Sequence, residues 1–442
     1  MHTSPNPQET LHEQERALDV TAHYDVIVCG AGPAGIAAAL AAARSGARTC
    51  LIELHGCLGG IWTAGQLAYI IDGANKTGLL PELLARLERH DARQGFVCDV
   101  EALKLELEAM CAEAGVTVRL HTRVAAAHCD AAKRLTHIVT ESKSGREAWR
   151  AEVFVDATGD GDLAAQAGCG YSLGEEHSGA MQPMSLIALV AGVDPEASRP
   201  YTLIERASRL RLLADIERGG YSPSYRSPGL WHIRDELYML MANHQYGRSG
   251  LNADDLTAAT LQARREVNEV VAALRGIGGI WERLRLVSTA SQIGVREGRR
   301  IHGLYTVTKE DLLSGVRHPD AVCRVTFKVD VHALHGAGSK SFESANQEYR
   351  ERAQPYDIPL RALVARDVGG LVLAGRCISG DFLAHSSYRV TGNAVQTGQA
   401  AGVLAATSAA QGVLPERTDW PAVKSGLERL LAASTASAAA GG

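Results

Sequence analysis

Long hydrophobic runs are missing from this 442-residue chain: the most extended, MSLIALVAGV at 184–193, is too short to cross a bilayer and reads as a buried strand. The first 22 residues, MHTSPNPQETLHEQERALDVTA, hold no apolar stretch of the kind a secretory signal needs, so a cytoplasmic location is expected, with residues 1–22 as a flexible arm. Positive charge is not in excess either. Forty-five Lys and Arg against 50 Asp and Glu leave a net charge of −5 with the basic residues scattered, which argues against a nucleic-acid partner. The nine cysteines are odd in number and contain no CxxC, so neither a disulfide framework nor a zinc site is expected, and no metal. What remains is a chain 46% hydrophobic and 21% charged, with ample core for two domains or one domain with an insertion.

The chain's most informative stretch is VIVCGAGPAG at 26–35, followed by IAAALAAARSGA. An apolar strand runs into Gly30, Gly32 and Gly35, and a small-residue helix follows. In such a turn the first glycine permits the bend, the second admits a pyrophosphate, and the third lets helix and strand pack closely, with the helix N-terminus facing the phosphate. A second apolar run, TCLIEL, carries Glu53 at its end, at the distance where an acidic residue holds a ribose diol. A 2′-phosphate would meet Glu53 with like charge, which disfavours NADP.

Further along, LGGIWTAG (58–65) is a glycine-bearing loop, Gly78–Arg93 and 100–115 have helical spacing, and VTVRLHTRVAAAHCD offers a strand and hairpin partner. AEVFVDATGDGDLAAQAG and GGLVLAGRCISGD are two more strands that feed glycine-rich turns. Three such strand ends, at 30, 159 and 375, suit a domain that wraps an extended dinucleotide. Between them, strands near 184–193 and 321–332 and a helix near 254–275 read as an inserted substrate domain. HGAGSK (335–340) is the one later near-match to a second nucleotide turn; it lacks the third glycine and the helix, so no separate NAD(P)H site is expected. The Ala/Ser/Gly tail from Ala432 is expected to fray.

Taken together, VIVCGAGPAGIAAALAAARSGARTCLIE, CLGGIWTAG, VDATGDGDLAAQAG and LVLAGRCISGDFLAHSSYRVTGNAVQTGQAAG resemble the FAD-dependent oxidoreductase family, in the single-dinucleotide branch of the glutathione-reductase superfamily. The resemblance implies an α/β chain with a Rossmann-like, discontinuous FAD-binding domain of the glutathione-reductase type and an inserted α+β substrate domain. The implied boundaries are 23–186 and 361–412 for the two parts of the FAD domain and 187–360 for the cap, with 287–305 touching the FAD domain. Residues 413–442 would form a C-terminal helix and flexible tail. It implies that Gly30, Gly32, Pro33, Ala34 and Gly35 lie at the pyrophosphate and Glu53 at the adenosine ribose. Gly59, Gly60 and Thr63 would follow the pyrophosphate and flavin, and Val124 would hold adenine through its backbone. Thr158, Gly159 and Asp162 would close the second crossing, and Gly375 and Arg376 the third. A last helix opening near Gly392 and Asn393 would turn its N-terminus toward the flavin pyrimidine edge and stabilise reduced flavin. FAD is expected to be held non-covalently, with a thioether from Cys57 as the alternative.

Flavin supplies the electron chemistry, so the protein must orient a substrate, move a proton and tune the ring. His385, in DFLAHSSYRV, is the expected proton carrier, and Arg389 the expected anchor for a substrate carboxylate, with Tyr388 a weaker third member. Arg296, in the cluster with Arg299 and Arg300, is a further candidate, as are His332 and His335 in VDVHALHG. Tyr221, Tyr225, Trp231 and Tyr238, with His232 and Arg234, read as a lid, a dimer contact or core. The expected function is hydride transfer between a small polar, carboxylate-bearing metabolite and flavin, reoxidised by oxygen, a quinone or another acceptor. The alternatives are reduction of an activated C=C bond, an RNA-modifying flavoprotein and a non-catalytic flavoprotein; a homo-oligomer is compatible with the sequence.

Overall fold

The structure is a computed structural model and describes residues 11, 15–203, 205–334, 336 and 347–439. Its centre is a parallel sheet in the order Thr117–Arg119, Thr49–Ile52, Val20–Cys29, Gly145–Asp156, Leu371–Leu373. Val26–Cys29 is wholly buried, as a strand covered on both faces should be, and its apolar run shows no alternation. Strand Gly145–Asp156 is long enough to serve two partners on one edge. Its first half pairs antiparallel with Leu135–Ser142, and its last three residues pair parallel with Leu371–Leu373. A segment from late in the chain thereby completes a sheet begun at the start, and the Rossmann-like domain is discontinuous.

The small residues of the first helix, Pro33–Arg44, have a packing consequence. The closing helix, Thr391–Gln411, lies directly on it, and a Cβ at Gly398 or Gly402 would fall 2.2 Å from the Ala34 carbonyl oxygen or 2.1 Å from that of Ala38. The two backbones touch, which only glycine opposite alanine permits.

The cap is a separate antiparallel sheet in the order Gly229–Arg234, Leu237–Met241, Ala188–Ala191, Arg285–Thr289. Helices Arg206–Arg218 and Ala253–Gly276 supply Leu212, Ile216, Val270 and Leu274 to its own core, with Val190, Tyr238 and Trp281. The inserted region is therefore shorter than 187–360. Ser185 and Gly294 bridge at its base, and beyond it Ile301, Val307, Val325, Tyr356 and Ile358 bury in the main core, where helices Phe382–Tyr388 and Thr391–Gln411 cover them.

Other expectations shift at their edges. The first strand begins at Val20, inside the supposed arm, because Val20 and Ala22 pair with Ala148 and Trp149. Within 117–129 the first strand, Thr117–Arg119, joins the parallel sheet, and Arg123–Cys129 is the hairpin partner of the next strand, Leu135–Ser142. The 321–332 strand stops at Val325, and the tail expected to fray from Ala432 is helical as part of Trp420–Ala439, with Ser434 buried. Among the described residues no helix is long and apolar enough to cross a membrane.

Candidate active site

The first glycine turn is built as its sequence requires. Gly30 sits at φ +93° with a hypothetical Cβ 2.6 Å from the Ala157 carbonyl oxygen, and a Cβ on Gly35 would lie 1.7 Å from the Gly30 carbonyl oxygen. Gly32 differs: a Cβ there meets nothing within 4 Å, and no side chain caps the helix that it begins. The helix N-terminus therefore opens onto free space, the arrangement an anionic ligand group occupies. Loop Leu58–Gly65 folds over this turn. The Gly59 N–H donates to the Ala31 carbonyl at 2.8 Å, and Gly60, at φ +53°, brings its backbone against the Gly32 Cα. Thr63 Oγ1 is anchored to the Leu58 carbonyl and lies 3.7 Å from Cys57 Sγ.

Glu53 is almost wholly enclosed. Its carboxylate accepts from the Ala31 N–H at 2.6 Å and the His55 N–H at 2.8 Å, which fixes it beside the glycine turn with acceptor capacity to spare for a diol. Val124 lies in strand Arg123–Cys129, its carbonyl 3.5 Å from Gln166 Nε2.

The second and third turns are tied to each other. Asp156, fully buried, accepts from the Thr158 N–H, the Thr158 hydroxyl and the Ala164 N–H, and so holds the turn that Gly159 makes at φ +82°. Arg376 donates to the Gly159 carbonyl at 3.0 Å, to Asp160 Oδ1 at 2.7 Å and to the Val295 carbonyl. Asp162 is paired with Arg299 at 2.8 Å. Arg376 and Asp162 thus brace the walls with protein partners. At the closing helix the Gly392 N–H donates to the Ile71 carbonyl, while Asn393 Nδ2 is buried without a partner.

A second constellation forms where the cap meets the main body. Three segments converge there. Met184 and Gln245 exchange backbone hydrogen bonds, Ser185 and Gly294 do the same, and the Asn243 amide pairs with both N–H and C=O of Leu186 as a strand neighbour would. This clamp places His244 and Arg296 beside His332, Asp330 and Arg389 from the main body. Tyr225 lies 4.0 Å from His244, centroid to centroid, and His332 meets His244 edge-on at 4.8 Å. Arg296, Arg389, Asp330, His332, Tyr225 and Tyr246 are each partly accessible where cap and main body meet, while His244 is buried beside them.

The charges at this junction are unevenly matched. Arg389 Nη2 donates to the Asp330 carbonyl at 2.9 Å and its carboxylate at 3.3 Å, and His332 Nε2 lies 3.3 Å from the same carboxylate. Against the desolvation that would raise it, the adjoining His332 ring and the Arg389 guanidinium hold Asp330 far below the usual carboxylate range. Arg296 makes no ion pair among the described residues. Its guanidinium donates to the Pro183 carbonyl at 2.6 Å and Ser185 Oγ at 2.9 Å, both neutral. Desolvation, followed by the charge of Arg389, pulls its pKa down to about 10. Desolvation and then Arg296 lower His332 to about 4, so its ring is neutral at pH 7.

The structure thus brings together Arg296, Arg389, His332 and Tyr225 of the residues expected from sequence. His385 does not join them as a loop residue. Asp381 N-caps a helix, Phe382–Tyr388, in which His385 is fully enclosed and edge-on to Tyr388 at 5.5 Å, and burial drives its pKa well below the ordinary value. His335 and most of HGAGSK lie outside the described residues. Of the supposed lid aromatics, Trp231 and Tyr238 are core; His232 contacts Gln94, and Arg234 pairs with Asp99. His244, Tyr246 and Asp330 were not found from sequence, nor was Gln182, whose Oε1 accepts from the His332 backbone N–H at 3.2 Å. The one local signal, polar side chains packed as NHQY directly after an apolar strand, marks a strand end without saying what faces it.

A Rossmann-like sheet with three glycine turns facing one open helix N-terminus defines a dinucleotide-binding flavoprotein. The family model for FAD dependent oxidoreductases matches residues 25–427, and the chain belongs to that family; it is an FAD-dependent oxidoreductase with FAD as cofactor. No curated protein sequence matches it. Among solved structures it is similar to a geranylgeranyl bacteriochlorophyll reductase-like protein from Thermoplasma acidophilum, at 12% identity over 94% of this chain and 88% of that one, with TM-score 0.46. It is also similar to a myxobacterial chondrochloren halogenase (14% identity, 92% and 79% covered, TM-score 0.48). A p-nitrophenol 4-monooxygenase from Pseudomonas putida is a third (12%, 95% and 88%, TM-score 0.44).

Proposed function

We propose that the junction between cap and main body oxidises a small carboxylate-bearing metabolite. Bound FAD would supply the two-electron acceptor for a hydride from the substrate carbon, with oxygen, a quinone or another acceptor as the final oxidant. The carrying observation is Arg296: a guanidinium set deep in that junction, with neutral acceptors only, beside an Asp330 that already serves Arg389 and His332. A monoanionic group completes that charge balance, and a planar carboxylate matches the guanidinium fork. Arg389 keeps Asp330 in place, Asp330 orients His332, and the neutral imidazoles of His244 and His332 leave room for a substrate proton.

In this reading FAD is held by the open turn at Gly30, Gly32, Pro33, Ala34 and Gly35, by Glu53 at the ribose, and by Gly59, Gly60 and Thr63 of the overlying loop. Val124 offers its backbone to adenine, and Thr158, Gly159 and Gly375 supply close backbone. Gly392 and Asn393 stand at the closing helix, where the unpartnered Asn393 amide suits a flavin carbonyl. The fit of these residues to FAD rests on that amide and on the free space at Gly32. Hydrogenation of an activated C=C bond is the second reading; it draws on the same junction, with Arg296, whose pKa falls to about 10, as the proton donor.

The test is an anaerobic titration followed at the flavin band near ~450 nm. Bleaching by carboxylic acids and not by their amides is the expected outcome. Equal bleaching by acid and amide would sink the carboxylate assignment.

A further inference from the structure

Gln182 is almost wholly buried, at 2% exposure, and its side chain is only half satisfied. The His332 backbone N–H, which can only donate, lies 3.2 Å from one end of the side-chain amide, so that end is the oxygen Oε1 and the other end is the NH2 group. Nε2 is buried and has no hydrogen-bond partner. A buried amide nitrogen without an acceptor is destabilising, and native structures keep few such groups without a reason.

The main chain fixes where this amide stands. The Gln182 N–H donates to Glu297 Oε2 at 3.1 Å, and the carbonyl of the next residue, Pro183, accepts from Arg296 Nη1 at 2.6 Å. Residues 182–183 and 296–297 are thus bound to each other twice, while the Gln182 side chain reaches across to His332, whose ring lies 3.3 Å from Asp330. The amide bridges the Arg296 segment and the Asp330–His332 segment. Glu297 is engaged by Arg300 at 2.7 Å, and Asp330 by Arg389 and His332, so neither carboxylate serves the free NH2. Arg296 is unsatisfied in the same sense. Its Nη1 takes both neutral oxygen acceptors, and its Nη2 has only the Met241 sulfur at 3.9 Å, a weak acceptor, among the described residues.

Two free donors on one pair of joined segments call for a ligand group with two acceptors and no donor. A carboxylate has that form, with two oxygens on one carbon that both accept. A primary carboxamide does not, because with its oxygen on either donor its own NH2 is turned toward the other. We propose that Gln182 Nε2 is the second donor to the substrate carboxylate, with one carboxylate oxygen on Arg296 and the other on Gln182, and that this residue makes the site select a carboxylate over a carboxamide. This rests on the carboxylate reading above and names the residue that gives it selectivity.

The test is calorimetric titration of the oxidised holoenzyme with acetate and acetamide, isobutyrate and isobutyramide, and benzoate and benzamide. The parent protein should bind the acid of at least one pair more tightly than the amide. Gln182→Met keeps the length of the side chain without its N–H groups, and should shrink that preference by ~10-fold, as the loss of one hydrogen bond to a charged group warrants. Any loss of support for His332 weakens both members of a pair alike and leaves their ratio unchanged, which separates contact from scaffolding. Gln182→Glu keeps one oxygen for the His332 N–H and turns the other toward the ligand, so it should bind the amide ~5-fold more tightly than the parent does. That arm decides the matter if Gln182→Met does not fold. A preference unchanged in Gln182→Met, or an amide affinity no higher in Gln182→Glu, would overturn the assignment of Gln182 and leave the carboxylate reading standing. Loss of FAD from both variants would give the amide to the cofactor and overturn the assignment as well. Equal binding of acid and amide, or no binding, in every pair of the parent protein would overturn both readings.

Discussion

Arg389 and Asp330 are joined twice, through the Asp330 carbonyl at 2.9 Å and its carboxylate at 3.3 Å, so the arginine that precedes the closing helix is already neutralised within the protein. The nearby Arg296 is not. Two arginines that look equivalent in sequence therefore divide the labour: one positions an acidic side chain, and the other has a charge left over for a ligand.

That division predicts unequal mutant behaviour. Arg296→Ala should cost ~10- to 100-fold in affinity for a carboxylate ligand, the range expected for a lost hydrogen bond to a charged group. Arg389→Lys should cost less in binding, because the lost fork faces Asp330, and should act on the rate by loosening the Asp330–His332 contact. Separate determination of Kd and of the flavin reduction rate in each variant checks this. Equal losses of affinity in both would return Arg389 to the role of ligand anchor.

The glycines of the first turn offer a second contrast. Gly32 has φ −69° and open space around its Cβ position, so Gly32→Ala should fold with an unchanged apoprotein melt yet bind FAD at least ~10-fold more weakly, since the methyl fills the room left for the pyrophosphate. Gly398→Ala does the reverse. Its methyl lies 2.2 Å from the Ala34 carbonyl oxygen, must push the two helices apart, and should lower stability by ~1–3 kcal/mol, read from denaturant midpoints. A Gly32→Ala protein with normal FAD affinity would remove this turn from the cofactor site.

The parts of this molecule legible in its sequence are the ones set by local geometry. A strand that must end in a tight turn against a helix needs glycines at fixed spacing, so Gly30, Gly32 and Gly35 declare themselves, as do the small residues of Thr391–Gln411. The proposed substrate site is different in kind. His244, Arg296, Asp330 and Arg389 come from four distant segments: backbone pairing between Met184 and Gln245 and between Ser185 and Gly294 brings the first two together, a side-chain contact joins the last two, and no periodicity records such a meeting. His385 misled because Asp381, next to a glycine and ahead of an apolar residue, reads as part of a turn, whereas it caps a buried helix. The end of the cap was misplaced for a related reason: the segment after Gly294 is irregular in pattern, and only its burial against the main core assigns it.

Cys57 lies within 3.7 Å of Thr63 Oγ1, close to the loop that covers the glycine turn. Acid precipitation of the yellow holoprotein should nevertheless release all of its flavin into the supernatant, and Cys57→Ser should keep a full complement of FAD. Flavin that stays with the pellet in the parent protein and leaves it in Cys57→Ser would establish a thioether.

The buried histidines make a prediction about acid. His385 and His244 have pKa values well below the ordinary one, and His332 lies at about 4, in each case chiefly because burial penalises the charged ring. In the unfolded chain the same three rings titrate near ~6.5. Below that value the unfolded state binds more protons than the folded one, so stability must fall as pH falls, by about 1.4 kcal/mol per pH unit for each ring that stays neutral. The window is pH 6.5 down to about 5. Within the same window Asp160, raised by desolvation to about 6, takes up a proton in the folded state and opposes the trend, as do Asp156 and Glu297, whose carboxyls burial also raises, so the net slope is less than the three rings' sum. Denaturant midpoints should therefore drop steadily from pH 7 to pH 5. His385→Phe keeps an aromatic ring beside Tyr388 and should lessen the slope by about one ring's share. If the midpoints of the parent protein did not change across that range, and those of His385→Phe followed the same slope, these rings would be protonated in the folded state, and the neutral imidazoles that the proposed function draws on at His244 and His332 would lose their support.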